Sequence, residues 1–389
     1  MSTSSSDIAI LGGGISGIIA ALELESRGVF PTLYESSDRL GGRVKTDFFE
    51  DIPLDHGFQV LLTAYPEVVK YLDLSALELH YFKPGAYIFG KDGKVELIGD
   101  AIRDPSFLWP TLKANAATLF DKMKLLAEQR RISGLSVEEI FNQPDQSTLE
   151  SLYSKYSERF INQFFKPFYG GIFLEKELQT SVKQFEFVFH MFANGYAALP
   201  KGGMQSVIDQ LSSKLTKTKV LLNHKITTEE AKDRHDKVIQ TFAERDQKWH
   251  GTEVFYFELP NASKYSEKLK KVIGLFPESN SVNSMHVLQG RNTAVLSATA
   301  IGVSEDSDRL EGLIREEIQT RSRIETGKLF KHYRIEKALP VISEIRYKPD
   351  SLKVDSAVFH SGDYLLYPSL NAAMSSGRIA AEKALQDKL

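Results

Sequence analysis

The stretch Asp7-Ile8-Ala9-Ile10-Leu11-Gly12-Gly13-Gly14-Ile15-Ser16-Gly17 decides the fold. Asp7 to Leu11 is a short apolar run, rich in branched residues and stopped by three glycines, which reads as a buried strand. From Ile15 to Arg27 the apolar residues recur at helical spacing, and Gly28 supplies a stop. Pro31-Thr32-Leu33-Tyr34-Glu35 then reads as a second buried strand. Strand, helix, strand is the opening of a doubly wound sheet.

The glycines fit the pattern G-x-G-x-x-G. Gly12 permits the tight turn, Gly14 lets backbone approach a pyrophosphate, and Gly17 lets helix pack on strand. Ile15 and Ser16 start the helix, whose free amides and partial positive charge suit phosphate. Glu35 ends the second strand 18 residues after Gly17, where a carboxylate accepts hydrogen bonds from ribose hydroxyls and repels a 2′-phosphate.

Glu35-Ser36-Ser37-Asp38-Arg39-Leu40-Gly41-Gly42-Arg43 follows directly. It resembles the signature of flavin amine oxidases, protoporphyrinogen oxidases and phytoene desaturases. The resemblance implies a second phosphate loop in which Gly41 and Gly42 turn the backbone and Arg43 supplies a cation. It extends to Leu54-Asp55-His56-Gly57-Phe58-Gln59, to Leu199-Pro200-Lys201-Gly202-Gly203-Met204, and to Leu222-Asn223-His224-Lys225-Ile226. The run Lys237 to Phe242 departs from the family's usual Ala-Thr ending. Near the end, His360-Ser361-Gly362-Asp363 and Pro368-Ser369-Leu370-Asn371-Ala372-Ala373-Met374 resemble its closing motif, with Asn371 and Ala372 where an acid and a glycine are usual.

What the resemblance implies is one non-covalently bound FAD. Its contacts come from Gly12, Gly14, Ile15, Ser16, Gly17, Glu35, Ser36, Gly41, Gly42 and Arg43, then from Gly57, Phe58, Gln59 and Ile226. The closing motif adds Gly362, Asp363, Ser369, Leu370, Asn371 and Met374. Asp363 is expected on the ribityl or pyrophosphate portion, and Ile226 near adenine. A helix starting at Ser369 faces the N1/C2 edge of the flavin, where reduction places negative charge. Read without the resemblance, Ser369 is an ordinary capping serine and His56 a structural histidine.

The 389 residues carry a net charge of -3, with no cysteine. Such a balance speaks against nucleic-acid binding, which calls for a basic excess. Absence of cysteine excludes disulfides, thiolate metal sites, thiol nucleophiles and a cysteinyl flavin link. No metal-ligand spacing is seen either. The start of the chain has no apolar signal core, and no uncharged run is long enough to span a bilayer, so a cytoplasmic location is expected.

The expected fold class is α/β: a doubly wound, glutathione-reductase-type Rossmann domain interleaved with an α+β substrate domain containing an antiparallel sheet. The first comprises residues 1–75, 197–275 and 345–389, the second 76–196 and 276–344. Two hairpins are expected, Tyr81–Gly90 with Lys94–Ile98 and Met285–Gln289 with Thr293–Ala300. Pro105–Arg131 and Leu149–Gly195 read as helical. The second is unusually aromatic, and its group of rings suits either a helical core or a large apolar pocket facing the flavin. Phe165, Phe168 and Tyr169 are the candidate wall or gate, in a helix interrupted by Pro167 and Gly170-Gly171. Tyr364 and Tyr367 flank the closing loop and are further pocket candidates, with core packing as the equal alternative.

The function expected is oxidation or desaturation of a hydrophobic small molecule by hydride or electron transfer to the flavin. The electron acceptor is open: oxygen, a quinone or a protein. An apolar face with lysines around Phe107–Leu126 suggests peripheral membrane contact, with packing on its own domain as the alternative. Two other functions compete: an NAD-dependent dehydrogenase, on the strength of the first loop and Glu35, and a non-catalytic binding protein of the Rab GDP-dissociation-inhibitor kind.

Overall fold

The computed structural model describes residues 7–243, 245–260, 265–349 and 352–386. The opening strand Ile8–Leu11 is wholly buried, and its neighbours make a five-stranded parallel sheet. In space the order is Lys219–Leu221, Thr32–Tyr34, Ile8–Leu11, Lys237–Gln240 and Val358–His360. Registers such as Ala9 on Thr32 and Ala9 on Val238 bring strands from distant parts of the chain together. The departure at Lys237–Gln240 therefore still forms a strand. Polar Lys237 and Gln240 are both buried there, and the lysine donates to the carbonyl of Ala384 at 2.7 Å. Satisfying a buried ammonium in this way lets an atypical residue occupy a central strand.

Helix Ile15–Ser26 covers this sheet and packs on the last helix, Leu370–Gln386. Glycine makes that contact possible: a Cβ on Gly377 would lie 2.2 Å from the carbonyl oxygen of Ser16. Between the helices a serine chain closes the seam. Ser16 bonds Ser361, Ser361 lies 3.2 Å from Ser376, and Ser376 accepts the N–H of Gly362 at 2.8 Å.

The second sheet has seven strands. Its order is Leu329–Pro340, Trp249–Glu258, Ala294–Ile301, Ser284–Gln289, Ile273–Leu275, Gly85–Phe89 and Val95–Gly99. All neighbours are antiparallel except Ile273–Leu275 with Gly85–Phe89. Both expected hairpins lie in it. Its membership corrects one domain boundary: Trp249–Glu258 and Ile273–Leu275, placed by sequence in the 197–275 segment of the nucleotide domain, are hydrogen-bonded into this sheet. Apolar strand residues of either sheet look alike in sequence.

The helical stretches are more broken than their periodicity suggests. Pro105–Arg131 divides into a 3-10 turn Pro105–Phe107, helix Leu108–Lys113 and helix Leu119–Ser133. Thr118 starts the last of these by a capping box with Asp121, which overrides the run of apolar spacing. Within Leu149–Gly195, a π turn at Ile161–Phe165 precedes helix Lys166–Phe173. Pro167 and Gly170-Gly171 do not interrupt that helix. The proline sits in the first turn, where it is tolerated, and Leu174 in the left-handed region ends it. Helix Val182–Asn194 completes the aromatic layer.

Candidate active site

One cavity of about 970 Å³ runs between the two sheets and the aromatic helices. Gly12, Gly14, Ile15, Ser16, Glu35, Ser36, Gly41, Gly42 and Arg43 line it, as do Gly57, Phe58, Gln59 and Ile226. From the end of the chain come Gly362, Asp363, Tyr364, Ser369 and Leu370.

The two glycine loops are built against each other. Gly41 N–H donates to the carbonyl of Gly13 at 2.8 Å, and a Cβ on Gly42 would lie 3.1 Å from the Gly14 Cα. Gly12 and Gly42 have φ of 105° and 61°, a region that side chains resist. Gly14 begins helix Ile15–Ser26 without a side chain to cap it, so first-turn amides are left for a ligand. Gly17 lies away from the cavity. A Cβ there would stand 2.1 Å from the Gly12 carbonyl oxygen, so its part is helix-on-strand packing.

Glu35 is buried, which would raise its pKa. Bonds from the Ser37 hydroxyl and N–H and the Gly13 N–H (2.7, 2.8 and 2.7 Å) prevail and hold it below the usual carboxylate range. Its charge is thus fixed beside the first loop. Arg43 is paired with Asp363, 320 residues away in sequence, donates to the Ala338 carbonyl at 2.9 Å and lies over the Trp249 ring. The start of the chain and its end meet here.

Nearby, His56 reaches Asp47 at 3.1 Å and stacks on Tyr333 at 4.0 Å. Burial lowers the pKa of His56, against the pull of Asp47. Desolvation opposes ionisation of Asp47, yet bonds from Tyr333, His56 and Arg39 hold it at about 2.

The closing helix is capped as an ordinary one: Ser369 accepts the Ala372 N–H at 2.9 Å. Asn371 and Met374, expected at the flavin, are buried away from the cavity. Asn371 accepts the Glu67 N–H at 3.0 Å and donates to the Tyr367 hydroxyl at 2.9 Å, so its amide ties helix to helix. Tyr367 itself is core, packed on Phe141 and Phe187.

The aromatic group divides in two. Phe164, Phe168, Tyr169, Phe189 and Phe192 line the cavity, whereas Phe165, Phe173 and Phe187 are core. Phe165 is fully buried against Tyr156 and Phe160, which removes it as a gate. Gly171 brings the helix close to the sheet, since a Cβ there would meet the Asn283 amide at 2.5 Å. Two buried polar atoms on the wall had no sequence signal: Gln184 Oε1 and Thr299 Oγ1 have no hydrogen-bond partner among the described residues. Gln184 donates its amide to the Pro368 carbonyl at 3.1 Å, beside the start of the closing helix.

Leu108, Leu112 and Leu126 line the cavity and are also 46%, 47% and 39% exposed, so they mark its mouth. Around them the surface is apolar. Seven of the nineteen exposed large apolar side chains among the described residues fall between 108 and 126, including Trp109, Leu119, Phe120 and Met123. Phe107 and Leu125 of the same stretch pack inward on the two cores, so the stretch is in part packed on its own domain and in part uncovered.

The arrangement fits FAD. The loops form a cradle that depends on glycine at 12, 41 and 42, Arg43 offers guanidinium N–H groups held in place by Asp363 and the Ala338 carbonyl, Glu35 a carboxylate, and Gln184 Oε1 an unmet acceptor. The family model described as flavin containing amine oxidoreductase matches residues 15–246. Protoporphyrinogen oxidase 2 of Arabidopsis thaliana is 22% identical over 175 residues, 42% of this chain and 32% of its own. Polyamine oxidase 5 of Oryza sativa is 52% identical over 50 residues, 13% of this chain and 10% of its own. The chain thus matches about a third of the first relative and a tenth of the second. Among solved structures, an oxidoreductase from Methanosarcina mazei is similar with a TM-score of 0.70 at 14% identity, covering 97% of this chain and 100% of that one. Cyclohexylamine oxidase from Brevibacterium oxydans gives 0.66 at 14% identity, covering 98% and 99%. At that identity the likeness concerns the fold.

Proposed function

The chain belongs to the flavin containing amine oxidoreductase family, and from that premise we propose that it is an FAD-dependent enzyme that oxidises or desaturates an apolar small molecule. The observation that carries the reading is the meeting of three distant segments, Gly12–Ser16, Gly41–Arg43 and Gly362–Leu370, on one cavity with an aromatic wall.

Bound there, FAD supplies the two-electron acceptor that no side chain offers. The chain's own work is binding, orientation and exclusion of water. First-turn amides of Ile15–Ser26 and the Arg43 guanidinium would hold the phosphates, and Glu35 would accept from the ribose. The start of helix Leu370–Gln386 would present positive dipole to the flavin ring and favour negative charge there. Phe164, Phe168, Phe189 and Phe192 give the substrate an apolar wall and keep bulk solvent from the reacting centre.

A cytoplasmic protein resting on a lipid surface completes the proposal. The exposed apolar apron around the mouth supports it, because an apolar substrate would pass from lipid to cavity without crossing water. The test of function is anaerobic. Purified protein should be yellow, and its visible band should bleach with a member of a panel of polyenes, porphyrinogens and lipid-like amines. A colourless preparation that binds NADH instead overturns the reading.

A further inference from the structure

We infer that the substrate of this cavity is an apolar molecule bearing an anionic group, in the first instance a carboxylate, held at the mouth by Arg103 and Lys122, and that alkylammonium ions are rejected. The inference rests on the flavin reading above and names its substrate class.

The carboxylates lining the cavity are Glu35, Asp100 and Asp363. Glu35 is taken by Gly13 and Ser37 and Asp363 by Arg43, all at the phosphate-loop end. Among the described residues that line the cavity, Asp100 is the one carboxylate on the substrate side. It accepts the N–H groups of Ile102 and Arg103 at 2.9 and 3.2 Å, and the Gln129 amide at 2.5 Å. At that rim an entering ammonium would shed its water and meet two cations, Arg103 and Lys122, against one carboxylate whose acceptors are already engaged.

The cations on that side are Lys83, Arg103 and Lys122. Asp104 neutralises Lys83 at 2.7 Å. Arg103 is held differently. Its guanidinium donates to the carbonyls of Phe192 and Gly195, the latter at 2.6 Å, and lies 4.4 Å from the Tyr196 ring centroid. Among the described residues it has no carboxylate in ion-pair contact. Lys122 likewise donates to carbonyls, those of Leu112 at 3.1 Å and Ala114 at 2.8 Å.

The acids nearest Lys122 are Glu96 and Asp121. Among the described residues neither is in ion-pair contact with it: Glu96 accepts from Asn115 and Ala116, and Asp121 from Thr118 and Ser157. Carbonyl dipoles fix a cation in place without cancelling its charge. Both side chains keep N–H groups for an acceptor, and the guanidinium fork matches a carboxylate. Leu108, Leu112, Leu125 and Phe192 line the same cavity, so an anionic head at this rim leaves an apolar body pointing at an apolar wall.

The experiment uses the flavin-loaded protein, its flavin content fixed first by visible absorbance. It is titrated with dodecanoate, dodecylammonium and methyl dodecanoate, with the flavin spectrum as readout. Dodecanoate should bind tightest. Its affinity should fall by about tenfold or more in Arg103→Met and in Lys122→Met, with that of the methyl ester unchanged. Arg103→Lys, which keeps the charge, should recover much of the loss and separates recognition from support of the helix end. Dodecylammonium binding as tightly as the carboxylate, no response to dodecanoate, or unchanged dodecanoate affinity in both Met variants would overturn the inference. A colourless protein would instead sink the flavin reading, and the absorbance check keeps the two failures apart.

Discussion

At the scale of single residues, what was legible in sequence was whatever backbone geometry forces. Gly12 and Gly42 announce themselves because a Cβ has no place there, and Glu35 because it ends a strand at a set distance. Asn371, expected at the flavin, lies elsewhere, and Tyr367 takes the core alternative of its two readings, since their use is decided by Glu67, Phe141 and Phe187, which spacing does not reveal. Asp55 was unforeseen in another way. It is buried beside Gly203, accepts from Thr46 at 2.5 Å and from the Met204 N–H at 2.9 Å, and joins the hairpin Thr46–Phe49/Ile52–Asp55 to the return segment. Burial outweighs those bonds and raises its pKa from 3.8 to about 6.

A raised carboxyl pKa means that the folded state keeps a proton the unfolded state has released. Stability then falls as pH rises from about 4 through about 6, by up to about 3 kcal/mol, and the cost is complete above that range. Asp47 acts in the opposite sense and in another window: held at about 2, its contribution is lost only as pH drops from about 4 toward 2. In Asp55→Asn the amide oxygen retains both bonds and the titration disappears. Urea unfolding across pH 4 to 7 should therefore show a flatter profile for the variant. Parallel profiles would refute the assignment.

At the scale of elements, periodicity found the helices but could not say which face had a partner. Leu108, Leu112, Leu119, Met123 and Leu126 have the spacing of a packed helix, yet a capping box at Thr118 splits the run, and these residues stand at the cavity mouth or in solvent. Phe165 failed as a gate for the same reason in reverse, because the π turn rotates it into the core. An exposed apolar apron of this kind calls for a partner. With Lys113 and Lys124 beside Trp109 and Phe120, the proposed partner is an anionic bilayer. Co-sedimentation with vesicles containing phosphatidylserine should be readily seen, and Trp109→Ser with Phe120→Ser should abolish most of it while leaving flavin content intact. Equal sedimentation of the double variant would remove the lipid reading.

At the scale of the whole molecule, the parallel sheet and the interleaving of domains were legible, because the strand-loop-helix opening and the closing segment are both sequence-local. The exact division was not: Trp249–Glu258 joins the large sheet through pairing with strands at 294–301 and 329–340, a non-local choice. What unites the molecule is the seam where Ser16, Ser361 and Ser376 meet and Gly377 lets two helices touch. It sets Gly12–Ser16, Arg43 and Asp363 on one cavity.

The most direct trial of that claim is a crystal structure grown with FAD. Density should place the diphosphate against the Gly12–Ser16 turn and Arg43, and the isoalloxazine between Gly57 and the start of helix Leu370–Gln386. Arg43 and its neighbours closing over an empty cleft, or the coenzyme lying anywhere else, would contradict the account.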